Sequence, residues 1–324
     1  MNTDNDAIII PVTGPEEIRE IQSTPFMGKI FLAFLFKGMV RPKSIKPDAR
    51  IPGLCLELNR QPILADRLAR YREVCGFTQM NEQCVPISYF QMLFVGLLGK
   101  YLASDFFPIT PMGLIHTFQS FDLKRPVRPD EILDLSCRLS RIIKTSKGLE
   151  SEFTLDVRIK NELVWQGVSV FLTRLAGTNK TKKKPAEPVF LDQKEIISVP
   201  AGTGRKYATV SGDYNPHHLF NITAKAFGFK TAISHGMWSL ARAVAGLESE
   251  FAVSEGPARV EAFFKRPVFM PAAVALGVEP QGSDGQENRI TDFELRDEQT
   301  GIPHLKARLI QTGSAPDFKT GQVG

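Results

Sequence analysis

The sequence predicts an α+β fold used twice, each copy an antiparallel sheet wrapped around one apolar helix. Three observations carry this. An almost solidly apolar stretch, Tyr89 to Leu102, precedes a string of segments with period-two alternation. The second half repeats that order. Two short motifs also recur in the same order. Tyr71-Arg72-Glu73-Val74-Cys75-Gly76-Phe77 answers to Tyr207-Ala208-Thr209-Val210-Ser211-Gly212-Asp213, and Lys124-Arg125-Pro126-Val127 recurs as Lys265-Arg266-Pro267-Val268. The offsets are 136 and 141 residues, so the second copy carries extra residues between its markers.

Taken in order, Phe31 to Val40 suits a helix or a strand. Tyr89 to Leu102 is apolar all round, which marks a buried helix. Leu133, Leu135, Cys137 and Leu139 alternate with polar residues, as do Phe153, Leu155, Val157 and Ile159. A turn is expected at Asn161, then a strand from Leu163 to Leu172. Half-buried strands have this period. Residues 177–188 hold four lysines and two prolines with no apolar periodicity, and read as a solvated linker. The expected organisation is therefore an N-terminal unit over 1–176, the linker, and a C-terminal unit over 189–324. In the latter, Met237, Leu240, Ala241, Val244 and Ala245 follow the spacing of one helix face. Strands are expected at Arg259–Phe264, Val274–Val278, Ile290–Leu295 and Leu305–Leu309.

Composition narrows the function. The 324 residues are 43% hydrophobic and carry a net charge of +5. Global disorder is out, and so small an excess on so long a chain does not specify nucleic acid. The longest clean apolar run, Ile30 to Phe36, is far short of the about 20 residues that cross a bilayer. Met1 to Asp6 has no basic segment leading a secretory core, which predicts a cytoplasmic protein. Cys55, Cys75, Cys84 and Cys137 form no C-x-x-C pair and read as small core residues.

Chemistry concentrates in one window. Three of the five histidines, His217, His218 and His235, fall within 19 residues, beside Asp213, Asn215 and Pro216. Gly212-Asp213 and Asn215-Pro216 are turn formers, read as a loop leaving a strand. Pro216 biases Asn215 towards an extended backbone. A rigid turn can hold Asp213 and His218 around one water and move two protons. The alternative is an Asx-turn that only caps backbone amides. Gly236 stands where the apolar helix begins, so its amide is a candidate oxyanion donor. Its plain alternative is a tight loop-to-helix turn. A metal site is not expected, because adjacent His217 and His218 point to opposite faces of an extended segment and no H-x-x-x-H pattern exists. His116 and His304 read as ordinary strand residues.

The spaced pattern Tyr207-Ala208-x-x-Ser211-Gly212-Asp213-x-Asn215-Pro216-x-His218, followed by Ala224, Gly228-Phe229 and Ile233-x-His235-Gly236-Met237, resembles the hydratase motif of MaoC-like dehydratases. The resemblance spans roughly residues 190–310, and the whole chain is similar to double-hotdog members whose first hotdog lacks the catalytic residues. It implies a tandem hotdog fold. The implied activity is reversible addition of water to a trans-2-enoyl thioester, that is, an R-specific enoyl-thioester hydratase or (3R)-hydroxyacyl thioester dehydratase of fatty acid metabolism. The substrate would ride on coenzyme A or acyl carrier protein, and no cofactor is needed. Asp213 and His218 match the acid–base pair, Asn215 the residue that orients the site, and Gly236 the amide that receives the thioester oxygen. Tyr207, Ser211, His235 and Met237 match motif positions and are carried as substrate-binding candidates. His217 departs from the aliphatic residue the family prefers. Among Lys225, Lys230, Arg242, Lys265 and Arg266, Arg266 is the preferred partner for the carrier's phosphates. The first copy has Phe77 where the second has Asp213, and offers no N-P-x-H. It is expected to be a partner layer, and the chain an internal pseudo-dimer, with a homodimer also allowed. The rival readings are a hotdog acyl thioesterase and a non-catalytic acyl-thioester-binding module.

Overall fold

The computed structural model describes residues 7–25, 27–78, 80–175, 190–283 and 288–312; the expected linker lies outside them. Eleven strands form one sheet in the order β1-β2-β4-β5-β6-β3-β8-β11-β10-β9-β7. β1 (Ile8–Glu20), β2 (Ile51–Pro62), β3 (Ile115–Leu123), β4 (Ile132–Thr145), β5 (Gly148–Ile159) and β6 (Glu162–Arg174) come from the first half. β7 (Gln193–Val199), β8 (Ala258–Phe264), β9 (Ala272–Ser283), β10 (Arg289–Asp297) and β11 (Pro303–Gln311) come from the second. All neighbours run antiparallel except β1 and β2.

The alternation in the sequence is the burial pattern of the strands. Leu133, Leu135, Cys137 and Leu139 on β4 are all buried, with half-buried polar residues between them. The β5–β6 hairpin turns at Lys160 and Asn161, both at positive φ. Asparagine tolerates that conformation locally. The halves join where β3 pairs with β8, Phe118 opposite Phe263 through Leu123 opposite Ala258. Each Lys-Arg-Pro-Val copy follows directly on one of these two strands, so the repeats occupy equivalent places.

Helices cover the sheet. α1 (Met27–Val40) settles the segment that suited either state. α2 (Ala65–Cys75) and α5 (Thr203–Ser211) contain the Tyr-to-Gly repeat. Both end on a glycine in the left-handed region, Gly76 at φ 81° and Gly212 at φ 79°. Only glycine enters that region without a Cβ penalty, so the repeated glycine is a repeated helix stop. The apolar stretch from Tyr89 is not one helix. It divides into α3 (Tyr89–Leu93) and α4 (Val95–Ala103) at Phe94. Buried rings explain its composition: Phe90 and Phe94 lie 5.7 and 5.9 Å from Trp165 of β6. After α6 (Asn221–Ala226), α7 (Gly236–Phe251) buries Met237, Leu240, Ala241 and Val244 of the face expected from spacing, with Ala245 half-buried at its edge. No helix among the described residues is long and apolar enough to cross a membrane.

Candidate active site

The loop from Gly212 to His218 corrects the sequence reading at its start, because it leaves a helix rather than a strand. In α5, Thr203, Tyr207, Val210 and Ser211 are buried. That i, i+4, i+7, i+8 spacing is helical and stood in the sequence unused. After Gly212, the Ser211 hydroxyl donates to the Tyr207 carbonyl at 2.9 Å and accepts the Asp213 amide at 3.1 Å. Ser211 thus holds the loop from behind.

Asp213 builds the turn with one of its two carboxylate oxygens. Its Oδ1 accepts the Asn215 amide at 3.2 Å and the Asn215 side-chain nitrogen at 2.8 Å. The Asx-turn and the proton-handling reading are therefore compatible, one for each carboxylate oxygen. Asn215 is extended, at φ −57° and ψ 126°, as Pro216 demands.

Residues 216–218 form a 3-10 turn. This overturns the geometry used against the histidines. In an extended segment the two side chains would oppose each other, but here the rings of His217 and His218 lie 4.1 Å apart. His217 turns towards Phe229, at 5.5 Å, and Phe227, at 5.7 Å. His218 is buried, its Nδ1 2.9 Å from the Ile233 carbonyl. A carbonyl only accepts, so Nδ1 carries the hydrogen and Nε2 keeps its lone pair. His235 stacks on it at 3.8 Å, with Nε2 donating to the Asp213 carbonyl at 2.9 Å.

Donor atoms of Asp213, His218 and His235 all lie within 4.8 Å of one another. Two hydrogen bonds of about 2.8 Å meeting on one water oxygen span about 4.5 Å. One water can therefore touch carboxylate and imidazole together. The same three groups are a metal-type donor set, although ring nitrogens of both histidines are engaged by main-chain carbonyls.

Gly236 is the first residue of α7, and His235 before it makes no side-chain cap. The first amides of a helix lack internal acceptors and sit at its positive end. A Cβ on Gly236 would lie 3.1 Å from the Phe264 ring, so the residue is held close to β8. His116 of β3 also packs on Phe264, 4.8 Å ring to ring. It is on a strand as expected, but the first half has placed it near the site, within reach of the Asp213 charge.

The remaining candidates divide. Tyr207 and Met237 are core residues, and Tyr207 backs His235 at 4.9 Å. Arg266 is exposed, and its main chain pairs with His304: its carbonyl accepts from His304 Nδ1 at 3.2 Å and its amide donates to the His304 carbonyl at 3.4 Å. Arg242 is not available to a carrier, since it pairs with Glu195 under Gly76. Lys230 and Lys265 lie over Phe269 and Phe263 at 4.5 and 4.9 Å, while Lys225 is exposed. Sequence reasoning missed Gly204. A Cβ there would fall 2.0 Å from the His218 carbonyl oxygen, across fourteen residues that no local pattern connects.

Burial lowers the pKa of all five histidines, His235 to about 3 and His116 to about 4. Around His218, the neighbouring rings of His235 and His217 add to the effect. Each is neutral when folded and takes up a proton on unfolding below about pH 6.5. Their stabilisation is complete above that pH and is lost as pH falls towards the folded values. Glu248 runs the other way. Burial raises it to about 7, so from there down to the ordinary carboxylate range acid favours its folded form. It offsets one histidine. At about 1.4 kcal/mol per pH unit for each group, unfolding free energy by urea titration is expected to be roughly 3–5 kcal/mol lower at pH 5.5 than at 7.5. Equal values would mean that the histidines are not held neutral.

A family model described as MaoC like domain matches residues 182–301. The sequence is 31% identical over 267 residues to 3-hydroxyacyl-thioester dehydratase X of Mycobacterium tuberculosis, covering 80% of this chain and 90% of that relative. The crystal structure of HtdX from M. tuberculosis matches with TM-score 0.65 at 27% identity, over 79% of this chain and 98% of that one. Another M. tuberculosis protein, described as having a double hotdog fold, matches with TM-score 0.51 at 8% identity, over 79% and 95% of the two chains. That last likeness is one of fold alone, and it is the tandem hotdog expected from the sequence.

Proposed function

The chain belongs to the MaoC-like dehydratase family and is a hydro-lyase of acyl thioesters; within that activity we propose that it adds water to trans-2-enoyl thioesters, and removes it from (3R)-hydroxyacyl thioesters, at Asp213, His218 and Gly236. The observation that carries the assignment is the His218 tautomer. With Nδ1 donating to Ile233, Nε2 is left as a neutral acceptor, on a ring that brings a nitrogen within 4.8 Å of donor atoms of Asp213 and His235.

In the hydration direction, water donates to Asp213 and to His218 Nε2. The imidazole takes one proton as the oxygen adds to C3. Electrons move through C2 onto the thioester oxygen, which accepts from the Gly236 amide. The imidazolium then returns the proton to C2 on the same face, so one water is consumed and both groups are restored. Asp213 holds the water and stabilises the imidazolium. Charge on the thioester oxygen grows only as the reaction proceeds, so the amide is worth roughly 3–4 kcal/mol to the transition state. Acid–base transfer contributes about 10²- to 10⁴-fold. Coenzyme A or acyl carrier protein delivers the substrate, with Arg266 a candidate for its phosphates. The first half, 1–176, and the second, 189–324, act as two hotdog units joined by residues 177–188, with chemistry in the second.

The test follows enoyl absorbance and free thiol together on a panel of trans-2-enoyl-CoA lengths. Alkene loss without thiol release, giving the 3R alcohol, is expected. Thiol release without alkene loss would replace the hydratase by the thioesterase reading.

A further inference from the structure

The catalytically silent half reaches the site through a helix as well as through His116 of β3. α5 ends just before Asp213, and the last carbonyls of a helix have no internal donors. Arg67 of α2 supplies them. Its Nε donates to the Val210 carbonyl at 2.7 Å and its Nη2 to the Ser211 carbonyl at 3.4 Å. No carboxylate figures in its electrostatic surroundings. Its charge therefore answers the negative end of α5, where a guanidinium is favourable. Seven residues further along α2, about 10 Å, the Val74 carbonyl accepts the indole N–H of Trp238 at 2.9 Å. Trp238 lies two residues after Gly236 in the first turn of α7. The two helices pack on each other as well, Tyr71 against Tyr207 at 6.4 Å.

One rigid helix thus grips both parts of the site. Its N-terminal end holds the helix that aims Asp213, and its C-terminal end holds the helix start that presents Gly236. We propose that α2 is a brace setting the distance between the water-activating pair and the thioester-binding amide, with Arg67 as a positioning residue. This rests on the site assignment above. It also gives the first half a use: its copy of the loop carries Phe77 and moves no proton, but it fixes the geometry of the copy that does. The arrangement is reciprocal, each half's helix end being capped by a side chain from the other.

The experiment uses the full chain with Arg67→Met, which keeps the stem, Arg67→Lys, and Trp238→Phe, which removes only the N–H donor. Small displacements of reacting groups cost about 10²-fold. Arg67→Met is expected to lower kcat on a trans-2-enoyl-CoA about 10- to 100-fold, with KM changing less than about threefold. Trp238→Phe should act in the same direction, and Arg67→Lys, with its charge but no fork, should recover part of the loss. Imidazole NMR signals of His218 and His235 should shift in Arg67→Met while that of His304, on β11, stays. A merely structural arginine would lower the folded fraction and leave kcat per folded molecule and these signals unmoved. Unmoved His218 and His235 signals, together with kcat within about twofold of the parent, would overturn the brace. Failure of the parent chain to hydrate any enoyl-CoA would remove the proposed function instead, and the NMR comparison would then decide the brace alone.

Discussion

Asp213→Asn is expected to lower kcat for enoyl-thioester hydration by about 10²- to 10⁴-fold while the chain stays folded. The asparagine retains a carbonyl oxygen where Oδ1 accepts from Asn215, so the turn persists. What it loses is the second acceptor, replaced by an amide that donates and can neither hold the water nor balance the imidazolium. His218→Asn should cost a similar factor by removing the proton carrier, and the double variant should lose little more, because the two act as one unit. Steady-state kinetics beside a thermal unfolding curve checks this. A kcat within about threefold of the parent, with the fold intact, would remove both groups from the mechanism.

The second large effect comes from a glycine. Alanine in a helix ordinarily gains about 0.5–1 kcal/mol over glycine. Gly204→Ala is expected to do the opposite, because its Cβ would lie 2.0 Å from the His218 carbonyl oxygen and 3.0 Å from the carbonyl carbon. Main chain cannot rotate away as a side chain can, so the 3-10 turn that carries His218 must move. Overpacking of this kind costs about 1–3 kcal/mol, and the displaced imidazole should cost about 10²-fold in kcat. Gly202→Ala is the control. Its nearest neighbour would be the Arg205 guanidinium at 3.6 Å, an ordinary contact, and neither stability nor turnover should fall. Equal behaviour of the two variants, read by unfolding and initial rates, would rule out the proposed contact.

Strands β4 to β6 and β8 to β11 are readable because alternation is a local property, and Leu133 to Leu139 or Phe153 to Ile159 display it within seven residues. α7 was readable for the same reason at a different period. β1, β2 and β7 were not. β2 is buried nearly throughout its first eight residues, so it has no clean alternation, and β1 and β7 owe their places to pairing with distant strands. α5 reads as a strand in the sequence because a nine-residue helix shows only about two and a half turns of its face. The division at Phe94 is invisible in a stretch where nearly every position is apolar.

The same line runs through the site. Asp213, Asn215 and His218 sit on one short bend, and the chemistry of a carboxylate, a proline-fixed turn and an imidazole is written in six consecutive residues. That much the chain determines by itself, together with the duplicated plan and the missing acid at Phe77. The tertiary structure alone decided which ring nitrogen of His218 bears the hydrogen, since Ile233 is fifteen residues away. It also decided that Gly204 must lack a side chain and that Arg67, across 143 residues, closes the helix before Asp213. Periodicity and turn geometry arise from contacts between near neighbours along the chain. Tautomers, close approaches and cross-capping arise from packing between segments far apart in sequence, and only the folded chain brings those together.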